Sequence, residues 1–228
     1  MDHKIYVLIL HSIYANLYSM RMRRKPNLAA RTERCSHIVI PEPELYRGRW
    51  LDEFGFSGLH VEIGCGKGRF TIDAAKSEPE ALLVALEKSD NVMVIALERT
   101  VAEDLQNVRF INEFADYLID YFAPGEVSRI YINFCDPWPS NRHVKRRLTH
   151  HRFLDLYKNI LIPKGELRFK TDNLPLFEFS LREFGQCGFE LLEVTYDLHK
   201  NGPVGILTDY EQKFIEQGKP IYQCIARL

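Results

Sequence analysis

From residue 59 onward, apolar residues fall into short runs separated by turn formers, and the runs alternate with stretches of helical spacing. "LHVEI" (59–63) is apolar and ends at glycines, as a buried strand does. Residues 67–77 read as a helix. "ALLVALE" (81–87) is a second strand, and 89–104 a second helix in which Val92, Ile95, Ala96 and Arg99 step at helical spacing. "VRFIN" (108–112) and "VSRIYINFC" (127–135) are strands three and four, and a helix is predicted over about 143–161. "GELRFKT" (165–171) is a fifth strand, before a helix over 174–186 that ends near Gly188. "FELLEVTYDL" (189–198) and "PIYQCIARL" (220–228) close the chain as two strands, joined by a connection too long for a tight hairpin.

Successive strand–helix units predict a mainly parallel sheet covered by helices on both faces. Ligands of such sheets sit beyond the carboxyl ends of the strands. The positions to inspect are therefore residues 62–68, 87, 112–114, 136 and 170–173. No internal repeat or low-complexity linker interrupts the pattern, and no stretch approaches the ~20 apolar residues of a membrane span.

Charge adds a second layer. The 228 residues carry a net charge of −1, but the bases are not spread evenly. Residues 21–34 hold six Lys/Arg and one Glu, and residues 140–152 hold five Lys/Arg and no acid. The rest of the chain has 19 bases against 30 acids. Two basic segments on an acidic body predict a local anion-binding surface.

The five cysteines (35, 65, 135, 187 and 224) are odd in number and form no C-x-x-C pair, which argues against a disulfide framework or a zinc site. Free thiols fit a reducing cytoplasm. His150 and His151 are adjacent rather than four apart, so they do not make a helical zinc pair, and no metal is expected. The first twenty residues contain only a six-residue apolar core, IYVLIL, with no clean cleavage site after it. They are read as an atypical extension, with a basic arm and lead-in over 21–58 and the main domain over 59–228.

"VEIGCGKGRF" places Gly64, Gly66 and Gly68 in a strand-to-helix turn, where glycine lets the backbone turn sharply and approach a ligand closely. Nineteen residues past Gly68, Glu87 ends the second strand, where a carboxylate can accept two ribose hydroxyls. The dinucleotide pattern G-x-G-x-x-G does not fit, because Arg69 occupies the third glycine's place; a P-loop would need Ser or Thr after Gly-Lys. E-x-G-x-G-x-G is the pattern of an S-adenosylmethionine loop. Glu62 then faces the ammonium of the methionine moiety.

"FCDPWPSNRHVKRRLTHHRF" (134–153) sets one acid, Asp136, against Pro-Trp-Pro with the basic run directly behind it. The prolines fix their own φ and bias the preceding residues to extended backbone. The expectation is a carboxylate held still at the centre of the sheet, with Trp138 as an aromatic wall for a planar base.

The pieces "RMRRKPN" (21–27), "VEIGCGKG" (61–68), "DPWP" (136–139), "RHVKRRLTH" (142–150), "KTDN" (170–173) and "TDYE" (208–211) together resemble the bacterial tRNA (guanine-N7)-methyltransferase family, in family order and over essentially everything after residue 20. The resemblance implies a Rossmann-like S-adenosylmethionine-dependent methyltransferase fold, a mainly parallel sheet with an antiparallel final strand. It implies methylation of the variable-loop guanine at tRNA position 46, by a cytoplasmic enzyme acting as monomer or homodimer. It also implies that Glu62, Glu87 and Asp136 match cofactor and catalytic positions. Asp172, Thr208, Asp209, Tyr210 and Glu211 match substrate-contacting ones, and Ser140, Arg142, Arg146 and Arg147 fall in the RNA-docking run. Two positions depart from the family: Phe114 stands where Asp or Asn is frequent after strand three, and Ser140 where Lys usually follows DPWP. Phe114 is expected to pack on the adenine, with a core position as the alternative. Thr208-x-x-Glu211 is also a capping box in its own right. An amino-methyltransferase acting on DNA adenine or a protein amide, and a non-catalytic RNA-binding protein, are the competing readings.

Overall fold

The computed structural model describes residues 25–228. The extension over 1–20 and the first bases of the arm, Arg21, Arg23 and Arg24, lie outside the described residues. Among the described residues, seven strands form one sheet: β1 (Gly58–Ile63), β2 (Ala81–Leu86), β3 (Val108–Ile111), β4 (Val127–Asn133), β5 (Leu161–Thr171), β6 (Glu190–Thr195) and β7 (Tyr222–Arg227). Their order is β3-β2-β1-β4-β5-β7-β6. β1 to β5 are parallel neighbours, and β7 inserts antiparallel between β5 and β6.

The apolar runs become central strands because both faces of the sheet are covered. β2 sends Leu82, Val84 and Leu86 into one core cluster and Leu83 and Ala85 into the other, the alternation a pleated strand imposes. Eight α-helices are described: α1 (Leu28–Glu33), α2 (Trp50–Phe54), α3 (Arg69–Ser77), α4 (Asp90–Ala102), α5 (Leu118–Tyr121), α6 (His151–Ile160), α7 (Leu174–Gln186) and α8 (Asp209–Glu216). Phe70 and Ala74 of α3 pack with Met93 and Leu97 of α4 on one face. Phe153, Leu154 and Tyr157 of α6 pack with Phe177 and Phe184 of α7 on the other.

Two expectations need correction. The helix over 143–161 is not continuous. Residues Asn141–Arg146 form a 3-10 helix, the chain runs extended at Arg147 and His150, and α6 begins only at His151. The break occurs because Arg147 is drawn toward the Pro137–Trp138 carbonyls and His150 caps α6, accepting from Arg152 N at 3.2 Å. β5 also starts earlier, at Leu161 rather than 165, since Leu161 pairs with Val127 ahead of a register shift in β4.

The strand order reverses between β1 and β4, and this is the crevice where open α/β sheets bind ligands. The glycine turn leaves β1 there and the Asp136 loop leaves β4 beside it.

Candidate active site

Gly64, Gly66 and Gly68 all have positive φ, at 82°, 59° and 80°. A Cβ on Gly68 would lie 2.7 Å from Ala96 Cβ, so this glycine allows α3 and α4 to close together. A Cβ on Gly64 or Gly66 would meet nothing within 4 Å, leaving open space over the turn. Glu87 lies at the edge of that space. Gly66 N donates to its Oε2 at 3.1 Å and Ser89 N to its Oε1 at 2.9 Å. Each oxygen keeps an acceptor site for a hydroxyl. Burial raises the carboxyl above its usual range, against those two backbone bonds and Lys88.

Glu62 is 2% exposed. Thr71 Oγ1, on α3, donates to its Oε2 at 2.6 Å, and Asn133 Nδ2, at the end of β4, to its Oε1 at 3.5 Å. Desolvation pushes this carboxyl up to about 7. A buried acid so prepared suits a cationic ligand group. The open glycine turn, the backbone-held Glu87 and the buried Glu62 fit S-adenosylmethionine, whose adenosine needs a diol acceptor and whose ammonium needs a counter-charge.

Phe114 follows β3 and caps a short 3-10 turn, Ala115–Tyr117. It is 43% exposed, which removes the core alternative. Asn112 Nδ2 donates to Glu87 O at 2.7 Å, tying the ends of β2 and β3.

The Asp136 loop carries backbone strain. Phe134 and Trp138 have φ of 53° and 42°, a region costly for residues with a Cβ. The surroundings hold this shape: Phe134 N donates to Lys170 O at 2.9 Å, and Arg147 reaches Pro137 O at 3.0 Å and Trp138 O at 3.1 Å. What is fixed is the backbone. The Asp136 side chain is 67% exposed, with Lys88 Nζ 3.6 Å away. The loop thus aims an acid that remains open to a ligand.

The basic run divides by environment. Arg142 and Lys145 are exposed. The Arg146 guanidinium lies 4.9 Å from the Trp138 ring centroid and His143 meets the same ring edge-on at 5.6 Å. Arg147 faces inward, over the Phe179 ring at 4.4 Å. Ser140 is an N-cap, accepting from Arg142 N at 3.4 Å. His150, His151 and Glu183 gather within 4.8 Å at the start of α6. Their bonds are those of a helix cap: Glu183 Oε2 accepts from His151 N and lies 3.1 Å from His151 Nδ1.

Asp172 is exposed at the end of β5, beside the α7 cap Asn173, which accepts from Leu176 N at 2.9 Å. Thr208 and Glu211 form a reciprocal capping box on α8. Glu211 is 0% exposed, so it stands behind the site rather than in it. Asp209 pairs with Arg99 Nη1 at 3.0 Å, and the same nitrogen donates to Lys67 O in the glycine turn at 3.1 Å. Tyr210 is 59% exposed and stacks on Phe134 at 6.0 Å. The segment 208–211 thus sits against both the glycine turn and the Asp136 loop. Sequence reading missed Arg99, which it took as one more residue at helical spacing, together with Thr71 and Asn133. Their partners come from other elements, so no local signal marked them.

A family model described as "Putative methyltransferase" matches residues 57–224. The tRNA (guanine-N(7)-)-methyltransferase of Geobacillus kaustophilus is 46% identical over 209 residues, covering 91% of this chain and 96% of that protein. The protein of the same name from Geobacillus sp. WCH70 is 44% identical over 207 residues, covering 90% and 94%. Among solved structures, the 16S rRNA methyltransferase KamB superposes with a TM-score of 0.61 at 14% identity, over 78% of this chain and 92% of that one. A SAM dependent methyltransferase from Aquifex aeolicus gives 0.53 at 14% identity, over 89% and 99%. These two likenesses show the fold; the Geobacillus proteins show the family. The chain belongs to the tRNA (guanine-N7)-methyltransferase family and is an S-adenosylmethionine-dependent methyltransferase.

Proposed function

We propose that the enzyme methylates N7 of the guanine at variable-loop position 46 of tRNA, in the cytoplasm, as a monomer or homodimer. The observation that carries this reading is the convergence at one crevice of Glu62, Glu87 and Asp136, from the ends of β1, β2 and β4, with the basic run directly behind Asp136. Among the described residues, no helix is long and apolar enough to cross a membrane.

Guanine N7 carries an in-plane lone pair, so no general base is needed before attack. When bound, S-adenosylmethionine would supply an electrophilic methyl carbon, so that transfer to the N7 lone pair would turn its sulfonium into a neutral thioether and the guanine into a cationic 7-methylguanine. The protein's task is in-line positioning and support for the growing positive charge. Glu87 receives the ribose hydroxyls, Glu62 faces the ammonium, and Gly64, Gly66 and Gly68 let the backbone approach. Phe114 packs near the adenine. Asp136 accepts guanine N–H groups and carries the negative charge opposite the base as it becomes cationic. Arg142 and Arg146, with Ser140 at the turn, hold phosphates without reading sequence. Arg147 supports the loop from behind. Asp172 and the 208–211 segment border the substrate side.

Labelled S-adenosylmethionine with bulk tRNA, followed by nucleoside mass spectrometry, tests the reading. Label in 7-methylguanosine is expected, and its loss from a transcript with adenine at position 46 fixes the position. Label in an N-methylated amine on DNA or protein would replace it with the amino-methyltransferase reading. Binding of tRNA without transfer would leave an RNA-binding protein.

A further inference from the structure

Lys170 is the penultimate residue of β5, next to Asn133 of β4 in register. Its ammonium is almost enclosed, with 10% of the side chain exposed. It donates to Ile206 O at 3.0 Å and to Glu211 Oε1 at 2.9 Å, and lies 6.0 Å from the Phe70 ring centroid on α3. Its carbonyl accepts from Phe134 N, the first residue of the strained loop that carries Asp136. One residue therefore touches the Asp136 loop, the segment leading into α8, and the helix behind the glycine turn.

His199 completes the arrangement. Its Nδ1 accepts from Val204 N at 3.2 Å, so the ring proton is on Nε2, which faces Glu211 Oε1 at 3.2 Å. Glu211 Oε2 accepts from Thr208 N at 2.7 Å. Both oxygens of the buried Glu211 carboxylate are thus met from within the protein. The bonds fix where α8 begins, and α8 in turn lays Tyr210 and Phe214 against Phe134 at 6.0 and 5.9 Å.

We propose that Lys170 and His199 are positioning residues for methyl transfer: by holding Glu211 they set the placement of α8 and, through Tyr210 and Phe134, the aim of the Asp136 loop. Neither residue touches the reacting atoms. The proposal rests on the assignment of Asp136 as the base-facing carboxylate, which Asp136→Asn checks separately: unchanged turnover in that variant would remove the assignment whatever Lys170 does.

Removing Lys170 alone leaves a buried, unpaired carboxylate, so a loss of folding would be ambiguous. The test is therefore Lys170→Met beside Lys170→Met/Glu211→Gln, and His199→Ala beside His199→Gln, whose amide can still donate. Melting temperature, S-adenosylmethionine affinity, and kcat and KM for tRNA are measured on each full-length variant. The double variant is expected to melt near the parent and to bind the cofactor within threefold, yet to turn over at least tenfold more slowly with a raised KM for tRNA. His199→Gln is expected to recover most of the turnover lost in His199→Ala. If the double variant regains turnover along with melting temperature, the cluster is a folding element only and the proposal fails. It fails equally if turnover falls in step with cofactor affinity. Should Lys170→Met not fold, the double variant and the His199 pair decide the question.

Discussion

Glu62 and Glu87 end neighbouring strands, yet their surroundings give them different work. Glu87 is fixed by two backbone N–H groups and opens toward the turn, whereas Glu62 is almost fully buried beneath it. Desolvation holds the Glu62 carboxyl near 7, above its ordinary value of 4.5. The folded chain therefore keeps this proton at pH values where the unfolded chain has released it. That contribution favours folding below about 4.5 and is lost as pH rises through 7, where ionised Glu62 costs about 3 kcal/mol relative to the unfolded chain. Glu62→Gln should melt above the parent at pH 8, with the difference vanishing near pH 4, and should bind S-adenosylmethionine about 10- to 100-fold more weakly for loss of a charged partner. Paired thermal melts and calorimetry check both signs; a variant less stable at pH 8 contradicts the argument. Phe114 offers a contrasting case. Its exposure predicts that Phe114→Asp changes stability by less than about 1 kcal/mol and leaves cofactor binding at least comparable. A clear fall in melting temperature would show that the ring is needed for packing.

At the scale of elements, the Asp136 loop is a strained turn held by its neighbours. Arg147 contributes through geometry rather than charge, its planar fork meeting two consecutive carbonyls. Arg147→Lys keeps the charge and loses the fork. Its expected effect is a fall in turnover of about tenfold, as for modest misplacement of a reacting group, with cofactor affinity and the salt dependence of tRNA binding unchanged. Loss of turnover only through weaker tRNA binding would return Arg147 to the set of phosphate contacts. This is also where sequence reading reached its limit. The strands were legible because each is a short apolar run buried on both faces, and α7 was placed at its observed bounds because Asn173 and Pro175 mark its start. The basic run after Pro139 holds one apolar residue, Val144, before Leu148. Its division into a 3-10 turn, an extended link and a helix depends on Arg147 and Glu183 meeting other elements, which local spacing does not encode. The same reason hid Glu211: its capping box was readable three residues apart, but its burial comes from Lys170 and His199, 41 and 12 residues away.

For the whole molecule, the distribution of charge predicts how RNA is held. The near-neutral total conceals basic segments on an acidic body, and the fold separates bases that face outward from bases that are already paired. Arg31 of the N-terminal arm makes two hydrogen bonds to Glu98 on α4, at 2.7 and 2.6 Å, so it fastens the arm to the domain. Arg142 and Lys145 instead stand exposed beside the Asp136 loop, on a stretch without an acid from Ser140 to Arg152. Phosphate contacts release counterions, and each one lost reduces the slope of log affinity against log salt by about one. Arg142→Ala with Lys145→Ala should therefore weaken tRNA binding at low salt, lower that slope by about two, and leave S-adenosylmethionine binding unaltered. Arg31→Ala should leave the slope almost unchanged and lower the melting temperature instead, because it removes a tertiary tie. Fluorescence titrations of tRNA at several salt concentrations separate the two outcomes. Equal slopes for the parent and the Arg142/Lys145 variant would mean that this acid-free stretch is ordinary solvated surface, and the RNA path would have to be sought on another face of the sheet.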